Sequence, residues 1–118
     1  MKATCAAAAA ALAALASAYG SHPADAAFIS RDALLRACSA PNSAQRADCE
    51  AYIAGVADTL LAGKDGPDRT LCLPAHARLR AVRDAVVGYL ETHRGGPEVS
   101  AASAVTSALR GLYPCPAR

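Results

Sequence analysis

The chain has 118 residues, a formal net charge of +2, 53% hydrophobic but only 4% aromatic residues, and five cysteines. That length allows one domain with a modest core, thinly stabilised unless it is cross-linked. Arginines and acids alternate without forming a block, which argues against nucleic acid or an anionic membrane surface as the partner.

Lys2 is followed by an alanine-leucine run from Cys5 to Ala16, about the length of a signal-peptide apolar region and too short to span a bilayer. Two small-x-small sites follow, Ala16-Ser17-Ala18 and Ala24-Asp25-Ala26. A low-complexity alanine tail has no reason to show these features in that order, so residues 1–18 or 1–26 read as a cleaved leader. Cys5 is a poor lipidation site because no apolar run precedes it, and it departs with the leader. Cys38, Cys49, Cys72 and Cys115 remain, an even set in a small exported domain, which argues for two disulfides in an oxidising compartment. The alanine-rich leader and the arginine-dominated positive set fit a GC-rich bacterium and therefore a periplasm. Once the leader is gone, nothing in the chain calls for a membrane.

Residues 21–27 are small, polar and proline-bearing, a flexible mature N-terminus, and structure should start near Phe28. Ser30 can cap a short helix with Asp32 in its first turn and an apolar stripe of Ala33, Leu34, Ala37 and Cys38, ending at Pro41-Asn42-Ser43. The second helix has the clearest periodicity, with Cys49, Tyr52, Ile53, Val56, Ala57, Leu60 and Leu61 at helical spacing. Asn42 or Ser43 should cap it and Gly63 should end it. Gly55 lies mid-helix, where it costs about 1 kcal/mol relative to alanine, and a close helix contact would account for it.

Lys64 to Arg69, reading KDGPDR, forms a strongly polar loop with a turn at Asp65-Gly66-Pro67. Pro74 suits the first turn of a third helix whose apolar face is Leu79, Val82, Val86, Tyr89, Leu90 and His93. Gly95 and Gly96 supply a left-handed stop, and Pro97 with Glu98 opens a fourth helix carrying Ala101, Ala102, Val105, Ala108, Leu109 and Leu112, which Pro114 ends. No run alternates polar and apolar residues as a strand would. The expected fold is all-α: a small bundle of about four helices in one domain, residues 28–116.

Four cysteines allow three pairings. Cys38 ends the first helix and Cys49 lies in the first turns of the second, across a short loop. Cys72 and Cys115 bracket a helical hairpin whose return arm brings them together. The layout therefore favours Cys38 with Cys49 and Cys72 with Cys115, each worth about 3 to 4 kcal/mol on the chain-entropy model.

The residues that could carry chemistry are sparse. Each mature cysteine has a disulfide partner, so none is a free nucleophile. Cys72 and His76 make only a single C-x3-H, short of a metal motif, and no cofactor is implied. His93 reads as a helix-end residue bonding the last carbonyls, and Asp58 as a helical acid that caps or pairs with an arginine. Arg78, Arg80 and Arg83 read as the solvated side of the third helix. With no glycine-rich phosphate loop, nucleophile elbow or paired carboxylates, an enzyme is the least supported class.

C-x-x-Y-I-x-G-x-x-D at Cys49, Tyr52, Ile53, Gly55 and Asp58, CLP at Cys72 to Pro74, YL-x-x-H at Tyr89 to His93 and YPCP at Tyr113, Pro114, Cys115 and Pro116 together resemble the Rap/Tai family of type VI secretion immunity proteins. The chain departs from that pattern at Arg94, where proline is frequent, and at Ser30-Arg31-Asp32, where glycine is frequent. The resemblance implies a small helical, disulfide-bonded periplasmic protein, commonly a homodimer, that binds a peptidoglycan amidase effector and occludes its active-site cleft. The matching motifs build the scaffold, so the partner surface is expected on an exposed loop, Lys64, Asp65, Gly66, Pro67, Asp68 and Arg69 being the candidate. The alternative is a periplasmic chaperone-like or accessory helical protein, which would expose apolar surface to its clients.

Overall fold

The computed structural model of the chain describes residues 28–62, 68–95 and 99–117. Among these residues there are four helices: α1, Arg31–Cys38; α2, Ser43–Leu61; α3, Leu79–Thr92; and α4, Ala101–Leu112. No strand is formed among them; an isolated antiparallel bridge joins Ser30 to Ser100. Residues 1–27, where the leader and the flexible N-terminus are expected, together with 63–67 (Gly63 and Lys64 to Pro67 of the polar loop), 96–98 (the Gly96-Pro97-Glu98 turn) and 118, lie outside the described residues.

Each helix starts where local chemistry favours it. Ser30 Oγ accepts the Ala33 amide at 3.2 Å, and Asn42 Oδ1 accepts the Ala44 amide at 2.8 Å. Ser100 Oγ accepts the Ser103 amide at 3.1 Å, so three of the four helices have a side-chain cap on first-turn donors.

Two starts differ from the sequence expectation. The third helix begins at Leu79 rather than at Pro74, which instead opens a single turn closed by Ala77 N–H to the Pro74 carbonyl at 3.0 Å. Just upstream the Cys72 amide donates to the Tyr113 carbonyl at 3.0 Å and Leu71 is fully buried, so the chain is tied to the bundle before Pro74 and makes this one turn before α3 begins. The fourth helix begins at Ala101, beyond Pro97, because Ser100 provides the cap. Nor does Gly95 stop α3 in a left-handed conformation; α3 ends at Thr92, three residues earlier, with His93 as C-cap and its amide on the Tyr89 carbonyl at 2.9 Å.

The core gathers Leu34 from α1, Cys49, Ile53 and Ala57 from α2, Leu71 from the segment before α3, Val82, Val86 and Leu90 from α3, and Ala101, Ala104, Val105, Ala108 and Leu109 from α4. Tyr52, Val56, Leu60, Leu61, Tyr89 and Tyr113 pack partly buried at its edge. The residues are small, and α4 in particular lets its neighbours approach through three buried alanines. Arg83, expected on the solvated side of α3, is instead largely covered: Nη1 binds Glu50 Oε1 of α2 at 2.6 Å and Nη2 binds Asp84 Oδ1 at 2.7 Å. Arg78 and Arg80 are exposed as expected.

Both disulfides form as the helix layout favours, Cys38–Cys49 with Cα atoms 5.1 Å apart and Cys72–Cys115 at 4.9 Å. Cys49 is fully buried, so the first bridge passes into the core, while the second ties the segment before α3 to the tail after α4.

Gly55 is not explained by a close contact. It is exposed, and a Cβ built there meets no atom within 4 Å among the described residues. A Cβ built at Gly111 lies 3.2 Å from Tyr89 Cε2, so the ring must give by a few tenths of an ångström to admit it. Gly55→Ala should therefore stabilise the domain by roughly 0.5–1 kcal/mol through helix propensity. Gly111→Ala should show no such gain, because Tyr89 must give way; urea unfolding of the two variants side by side separates them. The bridges close loops of separation 43 and 11, for which the chain-entropy relation gives about 4 kcal/mol for Cys72–Cys115 and about 3 kcal/mol for Cys38–Cys49. Paired cysteine-to-serine variants should lower the unfolding free energy in that order, the first more than the second.

Candidate functional site

The residues singled out by the sequence fall into separate parts of the fold. Of the KDGPDR loop, Asp68 and Arg69 are described and both are exposed. They precede the fully buried Leu71 and the bridged Cys72, so this arm of the loop is moored to the core within a few residues of its exposed side chains. Tyr52 is half-buried against the core, and Tyr113 is half-buried with its carbonyl holding the Cys72 amide. Pro74 and Pro114 are exposed. Asp58 is exposed and makes no side-chain ion pair with a described residue; its carbonyl receives the Ala62 amide at 2.8 Å.

At the other end of the α3–α4 hairpin the structure assembles a site that motif reading did not single out. Its centre is Arg31, only 6% exposed although it is the first residue of α1. Its Nη2 donates to the Leu90 carbonyl near the C-terminus of α3, its Nη1 binds Asp32 Oδ1 at 2.7 Å, and its buried Nε has no hydrogen-bond partner. The helix logic is direct: the last carbonyls of α3 have no intrahelical partner and carry the negative end of the helix dipole, so a cation there is favoured. The signal in the sequence is register. Arg31 lies three and four residues before Leu34 and Leu35, on the side of α1 that faces the bundle.

Beyond Leu90 the last turn of α3 is organised by stacking. The Tyr89 and His93 rings lie 3.8 Å apart and within 3° of parallel. His93 Nδ1 is 2.9 Å from the Tyr89 carbonyl, and since a carbonyl only accepts, Nδ1 carries the proton. His93 thus bonds a terminal carbonyl as its sequence position suggested, although its ring is exposed and not part of a buried stripe.

Between this turn and α4 runs an open groove of about 360 Å³. Arg31, His93 and Arg94 bring positive or proton-accepting groups to it, Ser103 and Ser107 bring hydroxyls one helical turn apart, and Tyr89, Val99 and Ala104 bring apolar surface. No carboxylate lines it among the described residues. A second groove of about 570 Å³ shares Arg31, Arg94 and Gly95 with the first and has Asp32 and Glu91 in its walls, so the two differ in charge.

Nothing here resembles a catalytic constellation. Among the described residues no three His, Cys, Asp or Glu side chains are placed to hold a metal ion, and no described helix is long and apolar enough to cross a membrane. What the molecule offers is surface: a moored polar loop arm at one end and a charged groove at the other. A family model described as Rap1a immunity proteins matches residues 30–115, which spans all four helices and both disulfides. No curated protein and no solved structure matches the chain.

Proposed function

We propose a function from one premise: the chain belongs to the Rap1a immunity protein family. Membership makes it an immunity protein whose partner is a cognate effector protein. In the reading proposed here that effector is a peptidoglycan amidase delivered by a type VI secretion system. The chain acts in the periplasm after its leader, residues 1–18 or 1–26, is removed. It is not an enzyme: it works by occupying the amidase cleft, in proportion to its amount.

The family match over residues 30–115 carries this proposal. The two disulfides support the compartment, since such bridges persist where thiols are kept oxidised. The order of a charged start, an alanine-leucine run and small-residue sites supports export. The large apolar side chains left exposed, Phe28, Ile29, Leu79 and Leu112, sit at the N-terminal edge and at helix ends, which favours an immunity protein over the client-binding alternative. The contact surface we propose is the Lys64–Arg69 loop, because exposed Asp68 and Arg69 are anchored by buried Leu71 and bridged Cys72. An anchored loop loses less conformational freedom on binding than a free one. The working assembly proposed is a homodimer.

The test is a titration of the oxidised, leader-free protein against the amidase encoded beside it, with hydrolysis followed in parallel. Hydrolysis should fall in proportion to added protein and cease at saturation, with a Kd on the order of nanomolar or tighter, equivalent to about −12 kcal/mol. Replacing Lys64–Arg69 by a neutral linker should weaken binding by roughly tenfold or more while leaving the unfolding curve in place. Unchanged affinity would remove the loop from the interface, and absence of any binding across a panel of amidases would remove the amidase reading.

A further inference from the structure

The groove beside Arg31 has the composition of a receptor for a negative group. Arg94 is exposed and forms no ion pair with a described residue, and the hydroxyls of Ser103 and Ser107 make no hydrogen bond to one. Among the described residues the groove therefore presents a cation and two hydroxyls with no carboxylate beside them. Behind them the Arg31 guanidinium is largely buried, with its Nε–H unanswered and Asp32 as the acid that pairs with it among the described residues. A cleft lined by one sign of charge and backed by low-dielectric protein concentrates that potential at its mouth.

We propose that this groove binds a carboxylate, and that the occupant is an aspartate or glutamate side chain of the bound effector. The inference rests on the immunity function proposed above and names a second contact for it. Three observations select a protein carboxylate. The space, about 360 Å³, is ample for one acidic side chain. A planar guanidinium matches a carboxylate in a two-point bond, and Ser103 and Ser107, four residues apart on one face of α4, can each donate a further hydrogen bond. The Tyr89 ring beside them, held in place by its stack on His93, covers the methylene groups that carry an acidic side chain. The groove lies at the Thr92 end of α3, whereas the Lys64–Arg69 loop leads to Cys72 at the opposite end of the hairpin. The fourteen residues of α3 separate the two by roughly 20 Å, within the width of one protein–protein interface.

The experiment uses the oxidised, leader-free protein labelled with nitrogen-15. Sodium acetate and the aspartate mimic N-acetyl-aspartate N-methylamide are titrated at ionic strength matched with sodium chloride, with inorganic phosphate in parallel. The expected result is saturable, millimolar binding of both carboxylates that shifts the Gly95, Ser103 and Ser107 amides and is lost in Arg94→Gln, whose fold is checked by its remaining amide spectrum. Shifts that follow ionic strength alone overturn the pocket. Saturation by phosphate at lower concentration than by either carboxylate overturns the choice of ligand. In the effector titration Arg94→Glu should weaken binding by roughly tenfold or more. If Arg94→Glu binds the effector as well as the parent does, the groove is no contact and the immunity function stands. If the parent binds no effector, the immunity function and the named occupant fall together, while the acetate arm still reports on the pocket itself.

Discussion

Two helix beginnings that satisfy each other hold one end of this bundle. The first amide of α1, Arg31 N–H, donates to the Val99 carbonyl at 2.9 Å, and the first amide of α4, Ala101 N–H, donates to the Ile29 carbonyl at the same distance. An amide in a helical first turn has no partner within its own helix, so each end supplies what the other lacks. With the backbones fixed in this way, the Arg31 side chain can only run inward, toward the end of α3. There it closes the third helix terminus of the cluster by binding the Leu90 carbonyl. Three helix ends thus share one small polar nucleus, and the charged groove is the outer surface of that nucleus.

The rest of the stability comes from modest means. The largest fully buried side chains are Ile53, Leu71, Leu109, Val86, Val105 and Cys49, and the single phenylalanine, Phe28, is fully exposed. A core of alanines and medium aliphatics buries little apolar area per residue, and a domain of this size has few to spare. The two bridges act on the unfolded chain instead, by removing conformations that it would otherwise gain. A scaffold built like this stays rigid at its cross-linked points while keeping its outer loops free to vary, which suits a protein whose work is done by its surface.

Much of this architecture was legible in the amino-acid pattern. The helical periodicity of Cys49 to Leu61 and the caps at Ser30 and Asn42 follow from local spacing and propensity, and the pairing of Cys38 with Cys49 and of Cys72 with Cys115 follows from the order of the helices and their breaks along the chain. What was not legible depends on distant partners. Pro74 has every local reason to start a helix and opens a single turn instead, in a segment tied to the far end of the chain by the hydrogen bond from Cys72 to Tyr113. Arg31 and Arg83 look like surface cations until their register is counted. Each lies on the inward face of its helix, and each meets a group on another element, the Leu90 carbonyl and Glu50. Gly55 misled in the opposite direction, since a mid-helix glycine suggests a close neighbour and the described structure has none there. The candidate groove escaped for the same reason as the arginines: its walls come from α1, α3 and α4, and no short motif spans them.

The order of the bridges along the chain also has a consequence for how the molecule is made. Cys38 joins Cys49 and Cys72 joins Cys115, so the two covalent loops follow one another without overlapping. For a chain delivered N-terminus first across a membrane, and with Cys5 removed in the leader, the first two thiols to emerge are already correct partners, and so are the next two. An oxidase that joins cysteines in order of appearance therefore produces the native pairing directly. On the export route proposed above, native pairing needs no disulfide-shuffling step, and the bridge between α1 and α2 can form before α4 emerges.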